Sequence, residues 1–233
     1  MGRIVLVTGT DTGVGKTVAS AWLAWKASRA GKVALIKAVQ TGADPEVGGD
    51  EAFYRAALRG IDVTLGTLAS FPEPMAPLIA ARRAGRPLDF EALTRQCESV
   101  AAAHDLTLVE GSGGMLVPID EQRDFADLAL RLDAALAVVV RPGLGTLNHT
   151  ALTLEAAERR GLGVPLLICS GASREPDAVE RENLRFFAAL REAGQPRTPM
   201  ALLVIERALE ADAARPERLA VRTEGPLPGW LSG

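Results

Sequence analysis

The residues most able to do chemistry lie in the first loop, positions 8–17, T-G-T-D-T-G-V-G-K-T. The loop follows an apolar run, R-I-V-L-V at 3–7, and opens into a helical pattern from Val18 to about Ala30. Small residues let backbone N–H groups curl around an anion, and the helix start adds the positive end of its dipole. In this setting Lys16 reaches terminal phosphates and the Thr17 hydroxyl is placed to ligate Mg²⁺. The usual spacing has a glycine, four intervening residues, then Gly-Lys-Thr; here Thr10 stands at the place of that first glycine and Gly9 sits one earlier.

A second set of polar residues closes other apolar runs. Lys37 ends the run at 32–37, and two readings of it stand: a strand-end amine snorkelling to water, or a cation beside a γ-phosphate or an anionic substrate. Thr41 is either a turn former or a hydroxyl offered to the same ligand. Glu110 directly follows L-T-L-V at 106–109, where a solvated acid is out of place. With Asp50 and Thr17 it makes the oxygen set that Mg²⁺ on a nucleotide takes, one or two carboxylates plus a hydroxyl. Gly-Gly-Asp at 48–50 is also a helix N-cap pattern. Gly111, Ser112, Gly113 and Gly114 bring backbone close to a ligand without side-chain obstruction, which makes the first three candidates for nucleotide contact. Residues 143–146, before a helix near Asn148, are either an anion nest at a helix start or a plain loop. His149 belongs to that nest or makes a structural hydrogen bond, and it forms no metal pattern with His104.

The elements that must position these groups alternate. Short apolar strands are expected at 3–7, 32–37, 106–109, 135–140, 164–169 and 200–205, with helices between them and a further helix at 177–193. Residues 38–42 and 111–114 read as loops, 61–77 as an irregular proline-punctuated excursion, and the tail as Ala/Arg- and then Pro/Gly-rich with an exposed Trp230. This is an α/β pattern: a predominantly parallel β-sheet with helices on both faces, in the manner of P-loop NTPases. Ligands bind such sheets outside the carboxyl ends of the strands, where the loops at 8–17, 37–50, 110–114 and 141–148 all fall.

Composition bounds the partners. The chain has 233 residues, net charge −3 and 48% hydrophobic content, which implies one domain over 1–233 with a sizeable core. Nothing in the charge recommends nucleic acid or an anionic membrane. No run approaches the ~20 apolar residues of a membrane span, and the chain starts with a strand rather than a signal peptide. Cys97 and Cys169 lack paired spacing and read as buried thiols, so a cytoplasmic protein is expected. Of 26 basic residues only four are lysines (Lys16, Lys26, Lys32 and Lys37); in so Arg-rich a chain a lysine marks a need for a compact charge.

Together these motifs resemble dethiobiotin synthetase. The residues that carry the resemblance are the loop at 9–17 with its late glycine and Thr-Asp-Thr, K-A-V-Q-T-G at 37–42, Asp50, V-E-G-S-G-G at 109–114, F-A-D at 125–127 and G-L-G-T-L-N-H at 143–149. The match spans roughly 3–168. The resemblance implies ATP-dependent carboxylation and ring closure of 7,8-diaminononanoate with CO₂, through a carbamate and a carbamic–phosphoric anhydride. It implies phosphate binding by Lys16 and the backbone of Gly13, Val14, Gly15, Lys16, Thr17 and Val18, and Mg²⁺ held by Thr17, Asp50 and Glu110. It further implies Lys37 and Lys16 as catalytic residues, and Thr12, Lys37, Thr41, Gly145, Thr146 and Asn148 as substrate contacts. The last three would come from the partner chain of a homodimer. Three departures accompany it: Ala38 for a usual proline, Ile168-Cys169-Ser170-Gly171 where an asparagine normally reads the base, and no Leu-Gly-x-Ile-Pro segment near 200–207. Relaxed base selectivity is the expectation these carry. The rivals are a nucleotide-switched positioning ATPase, against which Asp11 stands where that class has an extra lysine, and a catalytically inactive paralogue.

Overall fold

The computed structural model describes residues 2–43, 48–192, 201–208 and 210–231. Residues 44–47 of the loop before Asp50, the helix end at Ala193, and Met200 lie outside them. Among the described residues one sheet holds eight strands in the order β3-β2-β4-β1-β5-β6-β7-β8. They are β1 (Arg3–Gly9), β2 (Val33–Thr41), β3 (Val63–Phe71), β4 (Leu106–Gly114), β5 (Ala135–Val140), β6 (Leu166–Ala172), β7 (Ala201–Glu206) and β8 (Val221–Glu224). All neighbours are parallel except β7 and β8.

Strand alternation divides the core in two. Along β1, Ile4 and Leu6 face one cluster while Val5 and Val7 face the other. The second cluster takes the buried sides of α1 (Lys16–Ala27) and α2 (Asp50–Ala57). The first is covered by α3 (Pro77–Arg83), α4 (Phe90–Ala102), α5 (Phe125–Arg131), α6 (Thr146–Arg159) and α7 (Ala178–Glu192). Helices thus lie on both faces, as the alternation of elements implies. Cys97 and Cys169 are free and buried, and burial pushes both thiols up to about 12. No helix among the described residues is long and apolar enough to cross a membrane.

Four expectations need correction. The stretch at 61–77 is not irregular throughout, because its first half forms β3. That strand is at the sheet edge, half-exposed along most of its length and interrupted by Gly66, so it lacks the apolar run of a buried parallel strand. Residues 38–41 continue β2, pairing Val39, Gln40 and Thr41 with β3. Residues 111–114 extend β4, and the pairing with β1 resumes at Gly9 and Gly114 after an irregularity. In the tail, residues 221–224 form β8, and Trp230 is half-buried against the second cluster instead of exposed.

Candidate active site

The sheet order explains how the polar residues meet. Strand β4 lies between β1 and β2, so Glu110 is in register with Val7 on one side and Lys37 on the other. Lys37 and Glu110 are therefore side-by-side residues of adjacent parallel strands, and their side chains project to the same face. The first helix starts just beyond β1: Gly15 caps it with φ 93°. A Cβ on Gly15 would fall 2.4 Å from Ser170 Oγ, so both the backbone angle and the neighbour require glycine there. Ser170, one of the positions that departs from the family pattern, thus packs against the phosphate loop itself.

Helix α2 brings the third group. Asp50 is its first residue and not its cap; Gly49 is the cap, and Gln40 Oε1 accepts the Asp50 N–H at 2.9 Å. The Asp50 carboxylate is left for other partners. Its Oδ2 lies 2.6 Å from Lys37 Nζ, and its Oδ1 accepts from the Thr17 hydroxyl at 2.9 Å.

Glu110 is fully buried and accepts from four donors. Lys37 Nζ (2.8 Å) and Thr17 Oγ1 (3.3 Å) approach Oε1, while Ser20 Oγ (2.5 Å) and Tyr54 OH (2.6 Å) approach Oε2. Lys37 also donates to the Gly111 carbonyl at 3.1 Å. Burial works to lower the Lys37 amine, but Glu110 and Asp50 outweigh it and hold the group above its ordinary value. Lys37 is therefore a fixed cation and unsuited to act as a base. Lys16, buried at the loop and donating to the Asp11 carbonyl at 3.1 Å, is lowered: desolvation dominates, opposed by Glu110 and assisted by Lys37. Burial, then the neighbouring Glu110 and Asp50 charges, hold the Tyr54 phenol well above its ordinary value, so it remains a donor.

Lys16, Thr17, Lys37, Asp50 and Glu110 line a cavity of about 730 Å³, with Ser20 and Tyr54 off its wall. Of the expected contacts, Thr12, Gly13, Gly15, Lys16, Thr17, Val18, Lys37, Thr41, Asp50, Glu110, Ser112 and Gly113 are on its wall. Val14 and Gly111 are not on that wall: Val14 is packed in the core, and the Gly111 carbonyl accepts from Lys37 Nζ. Gly145, Thr146 and Asn148 are not brought to this cavity. They follow β5, on the other side of β1 from β4 and β2, where Gly145 caps α6, Thr146 is buried and Asn148 is exposed. The cavity also has walls the sequence did not single out: Gln40, Phe53, Val117 and the turn Pro74-Met75-Ala76-Pro77. Proline punctuation at 72–77 was the available clue to that turn; nothing local marks Phe53 or Val117.

The donor set suits Mg²⁺ in one respect that can be checked. Thr17 Oγ1 lies within hydrogen-bond reach of both Asp50 and Glu110, so three oxygens of the right kind converge beside the phosphate loop. Among the described residues no group of three or more His, Cys, Asp or Glu forms a cage.

Comparison with known proteins decides the family. An AAA domain profile matches residues 3–197. An ATP-dependent dethiobiotin synthetase of Mycobacterium avium is 49% identical over 190 residues, covering 80% of this chain and 83% of the relative. The chain belongs to the dethiobiotin synthetase family. A synthetase of the same name from Streptomyces avermitilis is 40% identical over 232 residues, 98% of this chain and 92% of that one. Solved structures share the fold at much lower identity. The MinC:MinD cell division complex of Aquifex aeolicus gives a TM-score of 0.56 at 12% identity, over 91% of this chain and 85% of that chain. A ParA family ATPase of Chlorobium tepidum gives 0.55 at 13%, over 91% and 88%. These solved structures thus share the architecture, while sequence identity places the chain among the dethiobiotin synthetases.

Proposed function

We propose that this chain carboxylates and cyclises 7,8-diaminononanoate to dethiobiotin at the expense of ATP. The observation that carries the reading is Lys37, paired with Glu110 and Asp50 directly beside the phosphate loop, in a chain of this family. In the first step an amine of the substrate attacks CO₂, forming an N–C bond and losing a proton to give a carbamate. A carbamate oxygen then attacks the γ-phosphorus and ADP departs. The second amine attacks the carbonyl carbon of the resulting anhydride, and phosphate leaves with one of the CO₂ oxygens.

The protein's contribution is position and charge, as in other phosphoryl transfers. Lys37 would hold the carbamate and offset charge that develops on it. Lys16 and the backbone of residues 13–18 would bind the phosphates, with Gly111, Ser112 and Gly113 along the nucleotide. Thr17, Asp50 and Glu110 would hold a Mg²⁺ ion, which supplies charge neutralisation at the phosphate oxygens. The apolar side of the cavity, Phe53, Pro74, Met75 and Val117, supports binding of a long alkyl chain next to the polar groups, with Thr12 and Thr41 near the amines. Gly145, Thr146 and Asn148 would act on the substrate carboxylate of a second copy in a homodimer, which accords with their distance from the cavity of their own chain.

The test is product analysis. Protein supplied with diaminononanoate, bicarbonate and MgATP should form dethiobiotin and ADP in equal amounts. ATP hydrolysis without a cyclic urea product would contradict the proposal.

A further inference from the structure

The Glu110 carboxylate is divided between two environments. Its Oε1 faces Lys37 and Thr17 at the cavity, and its Oε2 is held by the hydroxyls of Ser20 on α1 and Tyr54 on α2. We propose that Tyr54, assisted by Ser20, is a positioning residue that fixes Oε2 of Glu110 between the two helices, so that Oε1 alone is presented to the metal–nucleotide site. This inference rests on the assignment of Mg²⁺ to Thr17, Asp50 and Glu110.

Three features of the structure converge on it. Tyr54 is completely buried, so its hydroxyl needs an acceptor within the protein. The acceptor is not a backbone carbonyl but the one buried acid of the site. Tyr54 also follows Asp50 by four residues on α2, which places the two on one helix face. The Tyr54–Glu110 bond therefore ties the helix that carries Asp50 to the strand that carries Glu110. A single hydroxyl thereby orients one carboxylate and seats the other at Thr17 and Lys37. Ser20 plays the matching part from α1, one turn beyond Thr17, so each of the two helices supplies one group facing the cavity and one hydroxyl behind Glu110.

A tyrosine that only fills the core would affect stability without regard to metal, which gives the test its discrimination. ATP affinity is measured by calorimetry on the full chain, with Mg²⁺ and with EDTA, for wild type, Tyr54→Phe and Ser20→Ala. Tyr54→Phe keeps the ring and removes only the donor. The expected result is unchanged affinity for metal-free ATP and a loss of about tenfold or more in the Mg²⁺-dependent increment, the usual cost of removing a group that orients a metal ligand. Ser20→Ala should move the same quantity in the same direction, and it stands in for Tyr54→Phe should that variant not fold. An undiminished increment in the variant, or equal losses with and without Mg²⁺, would overturn the inference. Failure of the underlying metal assignment shows up separately, as a wild-type protein whose ATP affinity does not respond to Mg²⁺ at all; that result overturns both.

Discussion

Lys37→Ala is expected to lower kcat by about 10²–10³-fold, the cost typical of removing one charge-stabilising group from a preorganised site, while leaving MgATP affinity largely intact. The separation follows from geometry. The loop and Lys16, proposed to hold the phosphates, join β1 to α1, whereas Lys37 comes from β2, across β4. Its ammonium is pinned by Glu110, Asp50 and the Gly111 carbonyl and is held protonated by the two acids. It can therefore offset charge on a reacting anion but cannot take up a proton. Lys37→Arg should not restore turnover, because the planar fork cannot occupy the place of a compact ammonium between two carboxylates. Single-turnover kinetics with nucleotide titration separates the two quantities. Near-wild-type turnover in Lys37→Ala would remove Lys37 from the mechanism.

Glu110→Ala is expected to produce the largest loss of stability of any change at the site, about 3–5 kcal/mol, the range seen when one member of a buried ion pair is removed. The loss has a specific origin. Lys37, Ser20 and Tyr54 would all be left directed at an empty position, and Lys37 would retain only Asp50 as a charged partner. Urea denaturation should show a lower midpoint with an unaltered slope. A midpoint equal to or above that of the wild type would mean that burying Glu110 costs more than its four donors return. Turnover should be lost along with stability, since the same carboxylate belongs to the proposed metal set.

Much of this site was legible in the sequence because its members end strands or start helices. Lys37 and Glu110 each close an apolar run, and Gly15, Lys16 and Thr17 stand at the junction of strand and helix; alternation alone places all of them at one edge of a parallel sheet. The neighbours that hold them were not legible. Knowing that Lys37 touches Glu110 requires knowing that β4 inserts between β1 and β2, a long-range pairing that no local pattern encodes. Ser20 and Tyr54 look like ordinary interior helix positions until α1 and α2 are seen to cover the same face of β4. Gln40 read as a loop residue, yet it sits on β2 and satisfies the first N–H of α2. Strand β3 was hidden because an edge strand need not be apolar, and β8 because four residues, two exposed and two half-buried, carry too little pattern to separate a strand from a tail.

The most direct test follows one oxygen. With bicarbonate labelled by ¹⁸O and unlabelled water, sampled before exchange with solvent, attack of a carbamate oxygen on the γ-phosphorus predicts label in the released phosphate in step with dethiobiotin formation. Unlabelled phosphate accompanying dethiobiotin would show that the carbamate never attacked phosphorus, and would contradict the proposed roles of Lys37 and the phosphate loop.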